Sequence, residues 1–160
     1  MNVEIRDAVV GDAPAVAALF YDTILNVNLG DYSAEQVEAW AGPGPDPGMW
    51  EVRIAADNNL RRMFAATKEV RIVGFAELEA YGHLDTLYVH HEFQGRGVAS
   101  RLLDRVEAHA RRLGLTRLYT EASITARPFF LRRGFAVVRP QLVEVRGKTF
   151  RNFIMEKESL

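Results

Sequence analysis

The chain has 160 residues, 48% of them hydrophobic, with 20 Lys and Arg against 21 Asp and Glu. This size and composition predict a single domain over residues 1–160 with an ordinary core. The near-neutral charge argues against nucleic acid or an anionic membrane as a partner. The chain has no cysteine, which excludes disulfides, thiolate metal sites and a cysteine nucleophile. Since no apolar leader or membrane-length run is present either, we expect a cytoplasmic protein.

Helix-capping residues and the alternation of apolar and polar residues indicate the helices and strands of the first half of the chain. Asp12 is an N-cap candidate with Pro14 in the first turn behind it, and Ser33 with Gln36 forms a capping-box pattern. The predicted elements are a strand at 3–7, a helix from 12 to about 27, a short helix from 33 to 40, a surface loop at 42–48, and strands at about 62–67, 70–80 and 83–90.

One long amphipathic helix dominates the second half. Apolar residues recur at helical spacing from Val98 to Leu113, and Gly114 follows as a C-terminal signal. The order of elements predicts an α/β (α+β) fold, in which about four helices flank a mixed sheet of six or seven strands. The later elements are a strand at 115–120, a helix at 125–133, a strand at 135–145 and a strand at 149–156.

A glycine-containing loop, Gln94–Ala99, joins the third of the central strands to this helix. Glycines at such a junction leave backbone N–H groups uncovered at the helix N-terminus. Together with the helix dipole, these donors form a site for phosphate. Many loops of this kind are only tight turns, so the assignment needs support from other segments.

Two segments carry a family resemblance. Gln94–Ala99 resembles the Q/R-x-x-G-x-G/A signature of the GNAT N-acetyltransferases, and Ser123–Phe135 is similar to their second segment, N-x-x-A-x-x-x-Y followed by G-F. Within that family, Tyr32–Gln36 and Ala122–Ala126 resemble a bacterial YafP-like branch. The resemblance implies a GNAT-like, mostly antiparallel sheet that is splayed between the fourth and fifth strands, and an acyltransferase that uses acetyl-CoA.

The resemblance also implies where coenzyme A binds. The loop would hold the pyrophosphate, and the edge of the preceding strand would pair with the peptide-like pantetheine arm. A backbone N–H of that strand would polarise the thioester carbonyl. The expected coenzyme-binding residues are Leu87, Tyr88, Val89, Gln94, Gly95, Arg96, Gly97, Val98, Ala99, Ser100, Ser123, Phe129 and Phe130.

Transfer to an amine requires a proton acceptor, because an alkylammonium group is mostly protonated near neutral pH. Asp85 is the first candidate, since strand alternation would place it on the same face as Leu87. Glu121, at the end of the fifth strand, is the second candidate, and a solvated or paired surface role stays open for each. The further candidates are Glu77, Glu79 and His83.

Phe130 departs from the family pattern, because many members have a tyrosine there whose hydroxyl protonates the leaving thiolate. Ser123 replaces the usual asparagine and keeps a hydroxyl. It is therefore the favoured residue for donating a proton to the leaving thiolate. Thr125, Tyr119 and water are alternatives. It also stays open that no group protonates the thiolate and that turnover is slow. A thiolate is a tolerable leaving group even then, because the pKa of a thiol is about 8.5.

The acceptor is expected between the first two helices and the last hairpin, at Tyr21, Tyr32, Trp40 and Asp85. We expect an N-acetyltransferase that acts on an amine of a small molecule or peptide by direct attack in a ternary complex, because no cysteine is present to carry the acetyl group. No histidine pair has metal-ligand spacing, so we expect no metal. Two alternatives stay open. One is a non-catalytic module that binds acyl-CoA, and the other is an enzyme that transfers an acyl group to oxygen or transfers a longer acyl group. A monomer and a homodimer are both compatible with the sequence.

Overall fold

The computed structural model describes residues 2–56 and 60–160. Within these ranges no helix combines the length and the hydropathy needed to cross a bilayer. The elements are β1 (Glu4–Asp7), α1 (Ala13–Val27), α2 (Ala34–Ala41), α3 (Pro47–Ala55), β2 (Arg61–Lys68), β3 (Arg71–Glu79), β4 (Leu84–Val89), α4 (Val98–Arg112), β5 (Leu118–Ser123), α5 (Arg127–Arg132), β6 (Ala136–Val145) and β7 (Lys148–Lys157).

The strands form two antiparallel sheets, β1-β2-β3-β4 and β5-β7-β6, which meet at β4 and β5. A parallel bridge joins His83 to Tyr119, and the Thr120 hydroxyl donates to the Leu84 carbonyl oxygen at 2.8 Å. Beyond this point β4 continues along β3, and β5 continues along β7. The two strands therefore diverge, which confirms the predicted mostly antiparallel fold with a splay between the fourth and fifth strands.

Helices cover both faces of the four-stranded sheet. On one face α4 buries Leu102, Leu103 and Val106 completely. On the other face α1 and α3 enclose a second cluster that includes Trp50 and Phe75. Burial of this apolar surface is the main force that holds the layers together.

Gly74 of β3 allows the beginning of α4 to lie close to the sheet. A Cβ atom at this position would come within 3.0 Å of the Tyr88 carbonyl oxygen and 3.1 Å of the Leu102 side chain. It would also lie 3.3 Å from Val98, the first residue of α4. Only glycine keeps this approach unstrained, so Gly74 helps to place the N-terminus of α4 beside the end of β4.

The sequence analysis missed α3, which makes five α-helices within residues 2–56 and 60–160 where about four were expected. The signal was present at the end of the predicted loop. Asp46 caps the helix by accepting from the Met49 N–H at 3.1 Å, and Pro47 occupies the first turn. The short helix is held by Trp50, which is 1% exposed. Local propensity was weak here, and tertiary burial decided the structure.

The predicted start of β5 was wrong by three residues, because Leu115 belongs to the end of α4. The helix closes with Gly114 at φ +80° and with the Leu115 N–H donating to the Ala110 carbonyl oxygen at 3.0 Å. This 6→1 bond is typical of a Schellman ending. The strand begins only at Leu118.

Trp50→Ala should lower the free energy of unfolding by about 3–5 kcal/mol, because it leaves a cavity where a large buried side chain stood. The indole packs against Phe20 and Phe75, with ring centroids 5.2 Å apart in both pairs. Val52 lies on the same helix and is 72% exposed, so Val52→Ala should change stability by less than about 0.5 kcal/mol. Urea unfolding measures both, and equal effects would contradict the packing of α3.

Candidate functional site

The divergence of β4 and β5 opens a cavity of about 510 Å³. The end of β4 and the first turn of α4 form one wall, β5 and α5 form the other, and α1 and α2 contribute at one end. A cleft of this size accommodates a small ligand or part of a cofactor. The expected site residues on its wall are Trp40, Asp85, Leu87, Tyr88, Val89, Gln94, Gly95, Gly97, Val98, Ala99, Ser100, Glu121, Ser123, Phe129 and Phe130.

The glycine loop leaves backbone donors open at the beginning of α4. Gly95 and Gly97 have φ of +71° and +82°, and a Cβ atom on either would meet nothing within 4 Å. Gly97 is the N-cap and no side chain caps the helix. The first-turn N–H groups and the dipole of this 15-residue helix can therefore act on an anion at the cavity wall.

Gln94 and Arg96 are loop residues that were expected to bind the coenzyme. Their side chains contact other groups of the protein. The Gln94 Nε2 donates to the Val89 carbonyl oxygen at 2.6 Å, which ties the loop to the end of β4. Arg96 lies outside the cavity wall, with its guanidinium over the Phe93 ring at 5.5 Å. Of the loop residues, Gln94, Gly95 and Gly97 line the cavity, and Arg96 does not.

The edge of β4 that faces the cavity is suited to an extended ligand. β4 pairs with β3 along Thr86–Val89, so its other edge turns toward the splay. An open strand edge presents backbone N–H and C=O groups that a peptide-like chain can pair with. This edge leads from the glycine loop toward Asp85 and Glu121, which line the same cavity.

Asp85 lies in an irregularity of β4 that the sequence analysis did not foresee. Thr86 pairs with Glu77, whereas Leu84 pairs with the very next residue of β3, so Asp85 is left out of the ladder. Such a bulge interrupts the alternation of side chains. The argument that placed Asp85 on the face of Leu87 by strict alternation therefore does not hold.

Asp85 shares two arginines with the buried Glu77. Its Oδ2 accepts from Arg53 at 2.6 Å and from Arg61 at 3.1 Å, and both guanidinium groups also contact Glu77. Glu77 is fully buried, and a buried carboxylate requires such partners. Arg53 comes from α3, so the sequence analysis missed it together with its helix.

His83 connects two further carboxylates. Its Nδ1 lies 2.6 Å from Glu79 and its Nε2 lies 2.5 Å from Glu121. Burial lowers the pKa of His83, but the hydrogen bonds to Glu121 and Glu79 outweigh burial and raise this pKa to about 9. The ring is thus protonated near neutral pH and donates to both carboxylates.

These groups form one connected network at the end of the cavity that Asp85 and Glu121 line, and we call it the charge cluster. Glu79 also pairs with Arg61 at 3.4 Å, which joins the arginine pairs to the histidine. Ligand atoms of Glu79, His83 and Asp85 lie within 4.8 Å of one another, but the arginines compete with any cation for these carboxylates. The charge cluster consists of Arg53, Arg61, Glu77, Glu79, His83, Asp85 and Glu121.

On the opposite wall, Phe130 presents an aromatic ring without a hydroxyl group. It is 3% exposed and packs against Phe135 with centroids 5.0 Å apart. The Ser123 Oγ lies on the same wall and accepts from the Ala126 N–H at 3.0 Å, which leaves its own hydrogen available. Tyr119 stacks on His83 instead of lining the cavity.

Two tyrosines that were predicted to bind the acceptor lie behind the cavity wall. The Tyr32 hydroxyl donates to the Arg151 carbonyl oxygen at 2.6 Å and accepts from the Ile124 N–H at 2.9 Å. Burial raises the pKa of Tyr32. Tyr21 packs against the apolar cluster that contains Tyr32 and Phe150. Of the aromatic residues predicted to bind the acceptor, the structure brings Trp40 to the wall.

Helix α1 and the residue after it add wall residues that the sequence analysis did not assign to the site. Thr23 is 3% exposed, and its Oγ1 has no hydrogen-bond partner among the residues that the structure describes. Asn28 follows the helix, and its side chain donates to Thr125 at 3.1 Å. A polar residue on the apolar face of α1 was the available signal for Thr23.

Comparison with known proteins gives consistent matches. The model of the acetyltransferase (GNAT) domain family matches residues 28–158. The chain is 36% identical over 155 residues to YafP, an uncharacterised N-acetyltransferase of Escherichia coli K12, covering 96% of this chain and 95% of that protein. The crystal structure of a GCN5-related N-acetyltransferase from Rhodopseudomonas palustris is 34% identical, with a TM-score of 0.91 over 100% of this chain and 97% of the other. PaiA N-acetyltransferase from Thermoplasma acidophilum, solved with coenzyme A, has the same fold at 20% identity, with a TM-score of 0.81 over 99% of each chain.

Proposed function

The chain belongs to the GNAT family of acetyltransferases and is an acyltransferase, and from this premise we propose the reaction and the site. An acetyl group passes from acetyl-CoA to an amine of a small molecule or peptide, by direct attack in a ternary complex. The whole chain, 1–160, acts as one domain. The observation that carries the proposal is a single cavity with an anion site at the beginning of α4 and a charge cluster at the other end.

Coenzyme A fits the first part of this cavity. Its pyrophosphate would lie at the N–H groups beside Gly95 and Gly97, where the backbone is open and the dipole of α4 is favourable. Its pantetheine arm would pair with the free edge of β4. The bound coenzyme supplies the thioester, and the protein aligns that thioester with the acceptor end of the cavity. PaiA, which was solved with coenzyme A, supports this placement through the shared fold.

The acceptor end favours a cationic amine. Three cations, Arg53, Arg61 and protonated His83, face four carboxylates, so the charge cluster keeps one net negative charge. An ammonium group is attracted to such a site, and the Trp40 ring on the wall adds a surface for it. The four carboxylates belong to Glu77, Glu79, Asp85 and Glu121.

We place Glu121 ahead of Asp85 as the carboxylate that accepts the proton of the amine. Both line the cavity, but the Oδ2 of Asp85 already accepts from two guanidinium groups, which would have to be disturbed. The side chain of Glu121 is 39% exposed at the splay and contacts His83. Asp85 then orients the ammonium group, and the Ser123 hydroxyl faces the leaving thiolate.

The central test is a steady-state assay of free thiol release from acetyl-CoA with a panel of primary amines. We expect release above the background rate for at least one cationic amine, and a matched alcohol should be inactive. Propionyl- and butyryl-CoA in the same assay report the length of the acyl group that is transferred. Tight binding of acetyl-CoA without thiol release for any acceptor would contradict the proposal and favour a sensing module.

Gly97→Glu should weaken acetyl-CoA binding by at least about 100-fold, because a carboxylate would stand where the pyrophosphate binds. Calorimetric titration with acetyl-CoA measures the affinity. Gly114→Glu is the matched control, since Gly114 has φ +80° and similar open space but lies at the other end of α4. If both variants bind the coenzyme like the wild type, the assignment of the loop is wrong.

Phe130→Tyr should raise kcat, by up to about tenfold, because its hydroxyl can protonate the departing thiolate. Phe130 is one of the residues that line the cavity. Phe130→Leu removes the ring without adding a hydroxyl and should not raise kcat. An unchanged kcat in Phe130→Tyr would show that another donor, such as Ser123, already serves, or that a different step limits turnover.

A further inference from the structure

We propose that Glu121 and His83 act as one proton acceptor in the acetyl transfer, with Glu79 holding the His83 ring in place. This inference rests on the proposed transfer to an amine and deepens it. Glu121 is the catalytic residue, because it lines the cavity. His83 is a positioning residue that acts through Glu121 and receives the proton from it.

The fold places His83 where the two sheets meet. The Tyr119 N–H donates to the Gly82 carbonyl oxygen at 3.0 Å, and His83 forms the parallel bridge with Tyr119. Gly82 has φ +108°, and a Cβ atom there would lie 2.8 Å from the Arg117 carbonyl oxygen. Glycine is therefore required for this close approach, which brings the imidazole beside Glu121 two residues further along β5.

Two aromatic rings and two carboxylates surround the imidazole and restrict its orientation. The Tyr119 ring stacks on it at 4.8 Å and 17°, and the Tyr81 ring lies at 6.4 Å and 19°. Each ring nitrogen contacts a different carboxylate, Glu79 at Nδ1 and Glu121 at Nε2. Glu79 can thus keep a proton on Nδ1 while Nε2 exchanges a proton with Glu121, as in other acid–base pairs with an orienting carboxylate.

The proton balance of the step is simple. The ammonium group first gives one proton to Glu121, which passes it to Nε2 of a neutral His83, and the ring becomes an imidazolium held between two carboxylates. The freed nitrogen lone pair attacks the thioester carbonyl carbon, the C–N bond forms, and the C–S bond breaks with its electron pair leaving on sulfur. The second nitrogen proton passes by way of the Ser123 hydroxyl to the sulfur, which leaves as the thiol. After the products leave, the proton returns through Glu121 to solvent.

The pairing with His83 makes the acceptor strong enough for an amine. An alkylammonium group has a pKa of about 10 and an ordinary glutamate about 4, so transfer to an isolated carboxylate is uphill by roughly six pKa units. The pKa of His83 is about 9, which is much closer to that of the amine. An acceptor whose pKa approaches that of the donor takes the proton with little loss of driving force.

The charged groups around His83 explain why its pKa is raised. Carboxylates from three strands face the ring and favour its protonated form, while Arg61 offsets part of their charge by pairing with two of them. The neutral ring, which is the competent acceptor, therefore increases about tenfold per pH unit until the pH reaches the pKa. The titratable groups facing His83 are Glu79, Tyr81, Asp85, Tyr119 and Glu121.

The test compares the pH dependence of kcat/KM in the wild type and in His83→Gln, with the same amine from the panel. Because both enzymes see the same substrate, the titration of the amine cancels in their ratio. We expect the ratio to rise about tenfold per pH unit from pH 6.5 and to level near pH 9, at about 100-fold or more. Acetyl-CoA affinity should stay unchanged. His109→Gln is the matched control, since His109 packs on Phe64 with ring centroids 5.7 Å apart and is not on the cavity wall.

Glu79→Gln provides a second, independent variant. Loss of the Glu79 charge lowers the pKa of His83, so the inflection of kcat/KM should move to lower pH. A ratio of wild type to His83→Gln that does not change with pH would overturn the proposal, because a structural role reduces activity equally at all pH values. If His83→Gln fails to fold, an unmoved inflection in Glu79→Gln overturns it instead. A wild type that acetylates no amine overturns the proposed function itself.

Discussion

The short contact between β4 and β5 is the constraint on which the rest of the structure depends. The strands meet at the bridge between His83 and Tyr119 and at the hydrogen bond from Thr120 to Leu84, and then diverge. Full pairing would have closed the sheet and removed both the cavity and the free edge of β4. The opening must be held from outside, by α4 and α1 on the two faces of the sheet.

The two ends of the cavity have opposite electrostatic character. The uncapped N-terminus of α4 presents N–H donors to an anion, while the charge cluster retains a net negative charge. Arg53 and Arg61 offset the cost of burying Glu77, since an unpaired buried carboxylate would be strongly destabilising. This polarity is the basis of the proposal that an anionic coenzyme binds at one end and a cationic amine at the other.

The parts of the fold that the sequence predicted correctly are those encoded locally. The periodicity of α4 and the glycines before it belong to a single continuous segment. The capping box of Ser33 and Gln36 before α2 is equally local. Asp12 holds the N-cap position of α1, but its carboxylate pairs with Arg6 instead of capping that helix. The errors arose where tertiary contacts outweighed local preference. Helix α3 is held by the burial of Trp50, and Asp85 lies in a bulge that ends its alternation with Leu87.

By itself the sequence determined the glycine loop and the long helix after it, because backbone geometry and helical spacing depend on neighbouring residues. The family and the mostly antiparallel fold followed from the resemblance of Gln94–Ala99 and Ser123–Phe135 to GNAT sequences. The sequence also determined that Phe130 stands where a hydroxyl is expected. Only the tertiary structure decided how the carboxylates are used. Arg53 reaches Asp85 of β4 from helix α3, and His83, immediately before β4, reaches Glu121 of the other sheet. Pairings between such distant residues depend on how helices and sheets pack, and hydrophobic periodicity does not encode which charged groups come together.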